Sequence, residues 1–240
     1  MNKFKSFLKS FTPYQTIFIS AVVLFTVGML VFFPDLALSD YAEAGAFVIC
    51  AIISTIANPL CELLISKQSK WNFVIDFFLI EVPELIICLF FGWYAIAVTI
   101  VVFWMPVDVV SFIRWSKHPD GEDENLTVVK RLKPWQSLLS VVAIVAFGFV
   151  VGQLLQLIPG ASDTYLDAFA SAVGIANGIL LLLRYSEQWI AWLMTTVIYI
   201  AMSISQGANL LLIGDIAMLV NTIYGMGKWY VYTKKHPQIK

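Results

Sequence analysis

The positions of the fifteen Lys and Arg residues constrain this chain more than any other feature. Stretches apolar enough to cross a bilayer alternate with short connections, at residues 16–34, 45–66, 72–91, 93–114, 137–158, 165–183, 188–206 and 208–228. Every basic residue lies at an end of the chain or at alternate connections; the other four connections carry only Asp35, Asp40, Glu43 and Asp163. Because cytoplasmic loops retain Lys and Arg during insertion, the pattern predicts that both termini face the cytoplasm.

The composition supports a membrane protein. The chain is 60% hydrophobic and 13% charged, against about 45–50% apolar and 25% charged residues in soluble domains. Eight spans with short connections use nearly all 240 residues, so we predict an all-α integral membrane protein of the plasma membrane without a separate soluble domain. The apolar run 16–34 is interpreted as a retained anchor. The three cysteines lie within spans, and neither a metal site nor a cofactor is expected.

Two parts of the chain resemble each other. Ile56-Ala57-Asn58-Pro59 recurs as Ile175-Ala176-Asn177-Gly178, and the segments that enter spans three and seven match at nearly the same offset. Both copies run in the same direction across the membrane. A three-helix unit ends on the side opposite to its start, so one further helix must cross the membrane between the two copies. The sequence therefore predicts two parallel three-helix repeats joined by a linker helix, after an extra N-terminal helix, with the substrate path between the repeats.

The predicted repeats give the domain boundaries. The divisions are 1–44 for the N-terminal segment and extra helix, 45–116 for the first repeat, 117–160 for the cytoplasmic loop and linker helix, 161–229 for the second repeat and 230–240 for the cytoplasmic tail.

Five carboxyl side chains lie inside the predicted spans, namely Asp76, Glu81, Glu84, Asp108 and Asp215. A carboxylate at the bilayer centre costs on the order of 2.5–3.5 kcal/mol, so each requires a reason. Asp76 and Asp108 lie near helix ends, where water can reach them, whereas Glu81 and Glu84 flank Pro83, which permits a kink. Glu81 and Glu84 are either protonated and bonded to neighbouring helices or exposed to an aqueous path that favours a cationic or hydroxyl-rich substrate.

Amide and indole side chains supply the other candidate ligands. Asn58, Asn177 and Asn221 lie within spans, where an amide either links helices or binds a substrate. Trp104 lies mid-span, too deep for an interfacial role. Trp189 and Trp192 begin span seven three residues apart, and flat rings there can stack on a planar heterocycle.

Motifs of membrane enzymes are missing from the sequence. Gly214-Asp215 lacks the Gly-x-Gly-Asp context of aspartyl intramembrane proteases, and no Gly-rich phosphate-binding loop occurs. His118 lies in a predicted loop and His236 in the tail. We therefore expect no catalytic centre.

Two motifs near the end of the chain resemble the PnuC family of vitamin transporters. They are Arg184-x-x-Glu187-x-Trp189-x-x-Trp192 and Asn221-x-x-Tyr224-Gly225-x-x-x-Trp229. The 3+1+3 arrangement with an extra leading helix is similar to that family too. The resemblance covers the whole chain and is most specific between the two motifs.

The resemblance implies facilitated uptake of a vitamin precursor, most often nicotinamide riboside, with thiamine, riboflavin or deoxynucleosides in other branches. It also implies that a cytoplasmic kinase traps the substrate by phosphorylation and that the transporter itself is not coupled to an energy source. In one position the chain departs from the nicotinamide riboside branch, which usually has Asn where this chain has Thr196. Because polar groups of a site discriminate strongly between substrates, the family is better defined than the substrate.

From these observations we expect a transporter that moves a nucleoside-like, neutral or cationic molecule across the lipid bilayer and binds no nucleic acid. The expected substrate-binding residues are Trp189 and Trp192 for stacking, Thr196 and Asn221 for hydrogen bonds, Asn58 and Asn177 in support, and Glu81 and Trp104 along the path. A proton-coupled transporter of another family and a membrane-embedded sensor remain alternatives. The sequence leaves open whether the protein forms a homo-oligomer.

Overall fold

The computed structural model describes residues 11–38, 41, 43–117 and 129–235. Predictions that concern Lys3, Lys5, Lys9, Asp40, His118, His236 and Lys240 lie outside these residues. The described helices are α1 (Pro13–Phe32), α2 (Pro34–Leu38), α3 (Gly45–Ser66), α4 (residues 72–91), α5 (Tyr94–Ser116), α6 (Pro134–Leu155), α7 (Thr164–Leu183), α8 (Gln188–Ser205) and α9 (Asn209–Lys235).

The long helices confirm the all-α membrane fold class. Among the described residues, seven helices are long and apolar enough to cross a bilayer, namely α1, α3, α5, α6, α7, α8 and α9. Helix α4 was predicted as a further span, and it differs from the seven because it carries Asp76, Glu81 and Glu84 within one apolar helix. A chain in which nearly every helix is apolar along its length requires a lipid environment.

Two helices contain π-helical segments, and each segment ends two residues before a proline. In α4 the segment is Asp76–Glu81, followed by Pro83. In α5 it is Ile100–Trp104, followed by Pro106. A proline donates no backbone hydrogen bond and its ring clashes with the carbonyl four residues earlier, so the preceding turn widens. The disruption predicted at Pro83 therefore takes the form of a π-helical turn.

Six helices form a ring, in the order α3, α4, α5, α7, α8, α9, with α9 closing against α3. Helix α1 packs on α3 and α9, and α6 packs mainly on α7; both helices leave most of their apolar surface exposed. The first helix of each predicted three-helix unit thus contacts the third helix of the other unit. Two units related by an axis along the bundle would pack in this reciprocal way, although the duplication itself stays a prediction.

The connections that lack basic residues lie together at one end of the ring. Asp163 accepts hydrogen bonds from the side chains of Trp93, Ser205 and Gln206, at 3.3, 2.9 and 2.7 Å. The turn after α4 needs glycine at Gly92, because its φ is +74° and a Cβ there would lie 2.1 Å from the carbonyl oxygen of Gly160. We call this the acidic end.

The connections that carry Lys and Arg meet at the opposite end, which we call the basic end. The backbone N–H of Lys130 donates to the carbonyl of Arg184 at 2.7 Å. At the same end, the ammonium group of Lys67 lies 4.5 Å from the ring centre of Phe11. The alternate connections are therefore grouped as the charge pattern predicts, while the prediction that this end faces the cytoplasm remains to be tested.

Candidate functional site

A cavity lined by both polar and apolar side chains lies inside the ring of six helices and is divided into two adjoining chambers. Asn58, Glu84 and Tyr199 line both chambers. Chamber A has a volume of about 40 Å³ and extends to Trp93 at the acidic end. Chamber B has a volume of about 30 Å³ and extends towards Asp76. Each chamber holds only a few water molecules, so neither has room for a solute of nucleoside size in this conformation.

Hydrogen bonds between side chains organise chamber A. The amide nitrogen of Asn58 donates to Glu84 Oε1 at 2.6 Å and to Ser54 Oγ at 2.8 Å. Ser203 Oγ donates to Asp215 Oδ2 at 2.6 Å. Glu84 therefore bonds to the neighbouring helix α3 and also lines the cavity. A bond between helices and a position along the path, which the sequence analysis gave as alternatives, occur together at this residue.

Chamber B is bounded by two nearly parallel indole rings. The ring centres of Trp104 and Trp192 are 6.3 Å apart and their planes differ by 23°. Helix α7 makes room for Trp104 with small residues: a Cβ on Gly174 would lie 3.5 Å from the indole nitrogen, and one on Gly178 would lie 2.6 Å from Phe103 and 3.2 Å from Trp104. The structure thus brings the two predicted residues Trp104 and Trp192 together at one face of the cavity.

Three carboxyl groups meet beside chamber B. One ligand oxygen each from Asp76, Glu81 and Asp108 lies within 4.8 Å of the other two. The residues are only 5%, 4% and 1% exposed. The expectation that Asp76 and Asp108 lie in water is therefore wrong, because both point between helices α4 and α5. We call these three residues the acidic triad.

The π-helical turn explains how α4 supplies two members of the triad. In an α-helix, residues five apart point about 140° away from each other. Hydrogen bonds from residue i to i+5 instead stack such residues on one side of the helix. Asp76 and Glu81 are five residues apart at the two ends of the π segment.

Several buried polar atoms on the helices that line chamber B have no hydrogen-bond partner among the described residues. They are Glu81 Oε2, Ser171 Oγ, both amide atoms of Asn177, both amide atoms of Gln188, Trp192 Nε1 and Thr196 Oγ1. Ser171 and Trp192 line the chamber itself. Asn177 and Gln188 lie on the same helices, and Gln188 is one turn from Trp192. Because buried polar groups are normally bonded, this concentration indicates a place for a polar ligand or water.

Four predicted site residues do not line either chamber, namely Trp189, Asn221, Asn177 and Thr196. Trp189 is buried against Trp229, with ring centres 5.9 Å apart, and against Gly225, where a Cβ would lie 2.1 Å from the indole. Trp192 lines the cavity with Thr195 and Tyr199, whereas Trp189 is turned about 60° from Trp192 around α8, towards α9. The structure does not support the stacking role predicted for Trp189.

Asn221 is also outside the two chambers. Its amide nitrogen donates to the carbonyl of Pro59 at 3.1 Å, which joins α9 to α3. Its Oδ1 atom has no partner among the described residues. The structure therefore assigns Asn221 a helix-linking bond, and its predicted contact with substrate lacks support from the lining of the cavity.

Other buried polar residues escaped the sequence-based selection. Glu62 accepts a hydrogen bond from Thr222 Oγ1 at 2.7 Å. Asp167 accepts hydrogen bonds from the backbone N–H groups of Ala95 and Ile96, both at 2.8 Å. These N–H groups at the start of α5 have no partner within the helix, so Asp167 supplies one. Both residues could have been found as acids within apolar segments. Ser171 and Tyr199 line the cavity but offered no such signal, because only the fold brings them there.

A ring of membrane helices around a cavity with a few polar side chains is the architecture of an integral membrane protein that binds a solute between its helices, the class that includes solute transporters. The chain belongs to the nicotinamide mononucleotide transporter family, whose model matches residues 48–231. This assignment confirms the resemblance seen in the sequence motifs.

Individual proteins similar to this chain agree with the family. The nicotinamide riboside transporter PnuC of Haemophilus influenzae is 25% identical over 234 residues, which cover 96% of each chain. The protein of the same name from Neisseria mucosa is 26% identical over 195 residues, 78% of this chain and 73% of that one. A crystal structure of the vitamin B3 transporter PnuC shares the fold, with a TM-score of 0.76, 22% identity and coverage of 95% and 94%.

Proposed function

We propose that this protein takes up a nucleoside-like vitamin precursor by facilitated transport, with nicotinamide riboside as its principal substrate. The names of the two curated relatives support this substrate. The structural observation that carries the proposal is the pair Trp104 and Trp192, two nearly parallel indoles at chamber B. Such a pair is suited to a planar heterocycle, and a positive charge on that ring adds cation–π attraction.

The spacing of the indoles is close to what an inserted ring needs. Aromatic atoms in contact lie about 3.5 Å apart, so a ring held between two others requires about 7 Å between their planes. The centres of Trp104 and Trp192 are already 6.3 Å apart. A small outward movement of α5 or α8 would therefore admit the nicotinamide ring between them.

The unpartnered polar atoms match the remaining chemistry of a nucleoside. A ribose has hydroxyl groups that both donate and accept hydrogen bonds, and the carboxamide supplies two donors and an acceptor. Asn177, Gln188 and Thr196 offer complementary atoms without partners among the described residues. Asn58 and Glu81, which line chamber B, complete the proposed site. Substrates that lack the hydroxyls would leave these buried groups unpaired and would bind poorly.

The small volume of the chambers indicates how transport proceeds. Volumes of about 40 and 30 Å³ are well below the size of a nucleoside, so the substrate enters only when helices of the ring separate. Alternate opening at the acidic end and the basic end would carry it across the membrane. Phosphorylation by a cytoplasmic kinase would then trap the product, with both termini of the transporter on the cytoplasmic side.

Counterflow into proteoliposomes tests the proposal. We expect exchange of labelled nicotinamide riboside, with unlabelled nicotinamide riboside competing better than thiamine, riboflavin or deoxynucleosides. Replacement Trp192→Ala or Trp104→Ala should lower exchange at least tenfold, and Trp192→Phe should lower it less, because a phenyl ring still stacks. Trp135→Ala, at an indole that is 61% exposed at the start of α6, is the matched control. Wild-type exchange by Trp192→Ala would rule out the stacking site, and stronger competition by thiamine would reassign the substrate.

A further inference from the structure

The acidic triad lies beside the proposed substrate site, and its member Asp108 does not line the substrate chamber. Both carboxylate oxygens of Asp108 and Oε2 of Glu81 have no hydrogen-bond partner among the described residues. No Lys or Arg occurs between Trp71 and Arg114, so the helices that carry the triad contain no basic residue at its level. Three carboxyl groups that are buried together either stay protonated or ionise beside a compensating positive charge.

The spacing of the triad suits a single ion. Calcium takes oxygen ligands at about 2.3–2.6 Å, and two ligands of one such ion lie at most about 5 Å apart. The three ligand atoms of Asp76, Glu81 and Asp108 lie within 4.8 Å of one another. Sodium has nearly the same ionic size, so the geometry accommodates either cation.

A fourth polar group, on another helix, lines the same chamber as two members of the triad. Ser171 on α7 is 3% exposed, lines chamber B together with Asp76 and Glu81, and its Oγ atom has no partner among the described residues. A hydroxyl oxygen is a ligand of the kind that Na⁺ and Ca²⁺ prefer. The chamber beside it also has room for a water molecule that would complete the coordination.

The backbone around the triad has the form expected of a functional site. Both described π-helical segments lie here, since Asp76 and Glu81 are the ends of one and Trp104 is the end of the other. Asp108 lies one turn after Trp104 in α5. Such π segments occur mostly as single turns and frequently at functional sites.

We propose that Asp76, Glu81 and Asp108 bind one inorganic cation of the size of Na⁺ or Ca²⁺ between α4 and α5, beside the substrate chamber. The ion neutralises the triad and joins the two π-helical turns. An organic cation stacked between Trp104 and Trp192 is a poor occupant, because Asp108 does not line chamber B. The proposal revises the expectation that the chain holds no metal site, and it goes beyond the transport of a vitamin precursor.

The test uses the purified full-length protein. Binding of ²²Na⁺ and of ⁴⁵Ca²⁺ is measured at equilibrium, and Tm is measured in NaCl, in CaCl₂ and in choline chloride at equal ionic strength. We expect one ion bound per chain and a Tm higher by about 5 °C with the preferred cation at saturation than with choline. The salt that produces both effects identifies the ion.

Variants show whether the triad is responsible. Asp108→Asn and, independently, Glu81→Gln should lower the affinity for the ion at least tenfold and remove the shift in Tm. Glu62→Gln is the matched control, because Glu62 is equally buried but is bonded to Thr222 outside the triad; it should keep the response. If one triad variant fails to fold, the other variant and the binding measurement on the wild-type protein still test whether the triad binds the ion.

Three results would overturn the proposal. One is equal Tm in all three salts with no bound ion, which would mean that protons neutralise the triad. Another is an ion response that survives in both triad variants. The third is stabilisation by nicotinamide riboside chloride alone, lost in Asp108→Asn, which would assign the triad to the substrate's charge. Counterflow of nicotinamide riboside in choline medium is a separate readout, so failure of the cation site is distinguishable from failure of the proposed transport.

Discussion

At the scale of single residues, the motif Trp189-x-x-Trp192 separates into a packing residue and a cavity residue. Trp189 is 1% exposed and packs against Trp229 and Gly225, whereas Trp192 lines chamber B. Three residues along a helix change the direction of a side chain by about 60°. Two tryptophans of one motif therefore have different roles. The contact between Trp189 and Gly225 leads to a separate prediction about stability.

Replacement Gly225→Ala should lower Tm, because the new methyl group would lie 2.1 Å from the Trp189 ring. Overpacking of this kind costs about 1–3 kcal/mol. Gly227→Ala is the control: it lies in the same helix and has nothing within 4 Å of the added methyl, so its higher helix propensity should leave Tm equal or raised. Thermal unfolding in detergent gives both values. A Gly225→Ala protein as stable as Gly227→Ala would contradict the packing role of Trp189.

At the scale of elements, two prolines control the shape of the site. The π segments Asp76–Glu81 and Ile100–Trp104 precede Pro83 and Pro106 by two residues each. In contrast, Pro59 lies inside α3 without a π segment. The effect of a proline on its helix thus depends on the helices packed around it.

Replacement Pro83→Ala should reduce counterflow of nicotinamide riboside at least tenfold while Tm stays equal or rises. Alanine restores the backbone hydrogen bond and is favoured over proline in a helix by about 3 kcal/mol, so α4 can return to an α-helix. Asp76 and Glu81 would then point about 140° apart. Pro59→Ala serves as the comparison and should keep exchange near wild type. Wild-type exchange by Pro83→Ala would show that the π-helical turn is not needed.

At the scale of the whole molecule, a ring of six helices places the cavity between two predicted three-helix units. The reciprocal contacts α3 with α9 and α5 with α7 join those units. The connections group into an acidic end, around Asp163, and a basic end, around Lys130 and Arg184. Alternating access requires that these ends open to opposite sides of the membrane.

The predicted orientation can be checked with single added cysteines and a maleimide that does not cross membranes. Ser69→Cys at the basic end should react only after the cells are permeabilised, because basic connections stay in the cytoplasm. Ala161→Cys at the acidic end should react from outside. The native Cys50, Cys61 and Cys88 are buried, so the unmodified protein is the blank. Labelling of Ser69→Cys in intact cells would reverse the topology.

Part of the site could be predicted from the sequence because its residues are unusual for their surroundings. Glu81 stands out as an acid deep within an apolar segment, and Trp104 as an indole far from the membrane interface; both line chamber B. Ser171 and Gln188 could not be predicted in this way, because a small hydroxyl or an amide is unremarkable in a helix. Asp76 was misjudged because its depth was counted along the chain, whereas its carboxyl group is buried close to that of Asp108 on α5.

The sequence by itself determined the class of the protein, the number of apolar segments and which connections share an end of the bundle. Hydropathy and the distribution of Lys and Arg are properties of composition along the chain, and insertion into a bilayer responds to them segment by segment. Only the tertiary structure decided which polar side chains meet. The meeting of Asp76, Glu81 and Asp108, and of Trp104 with Trp192, depends on helix rotation and on π-helical turns, which packing between helices fixes and local sequence does not.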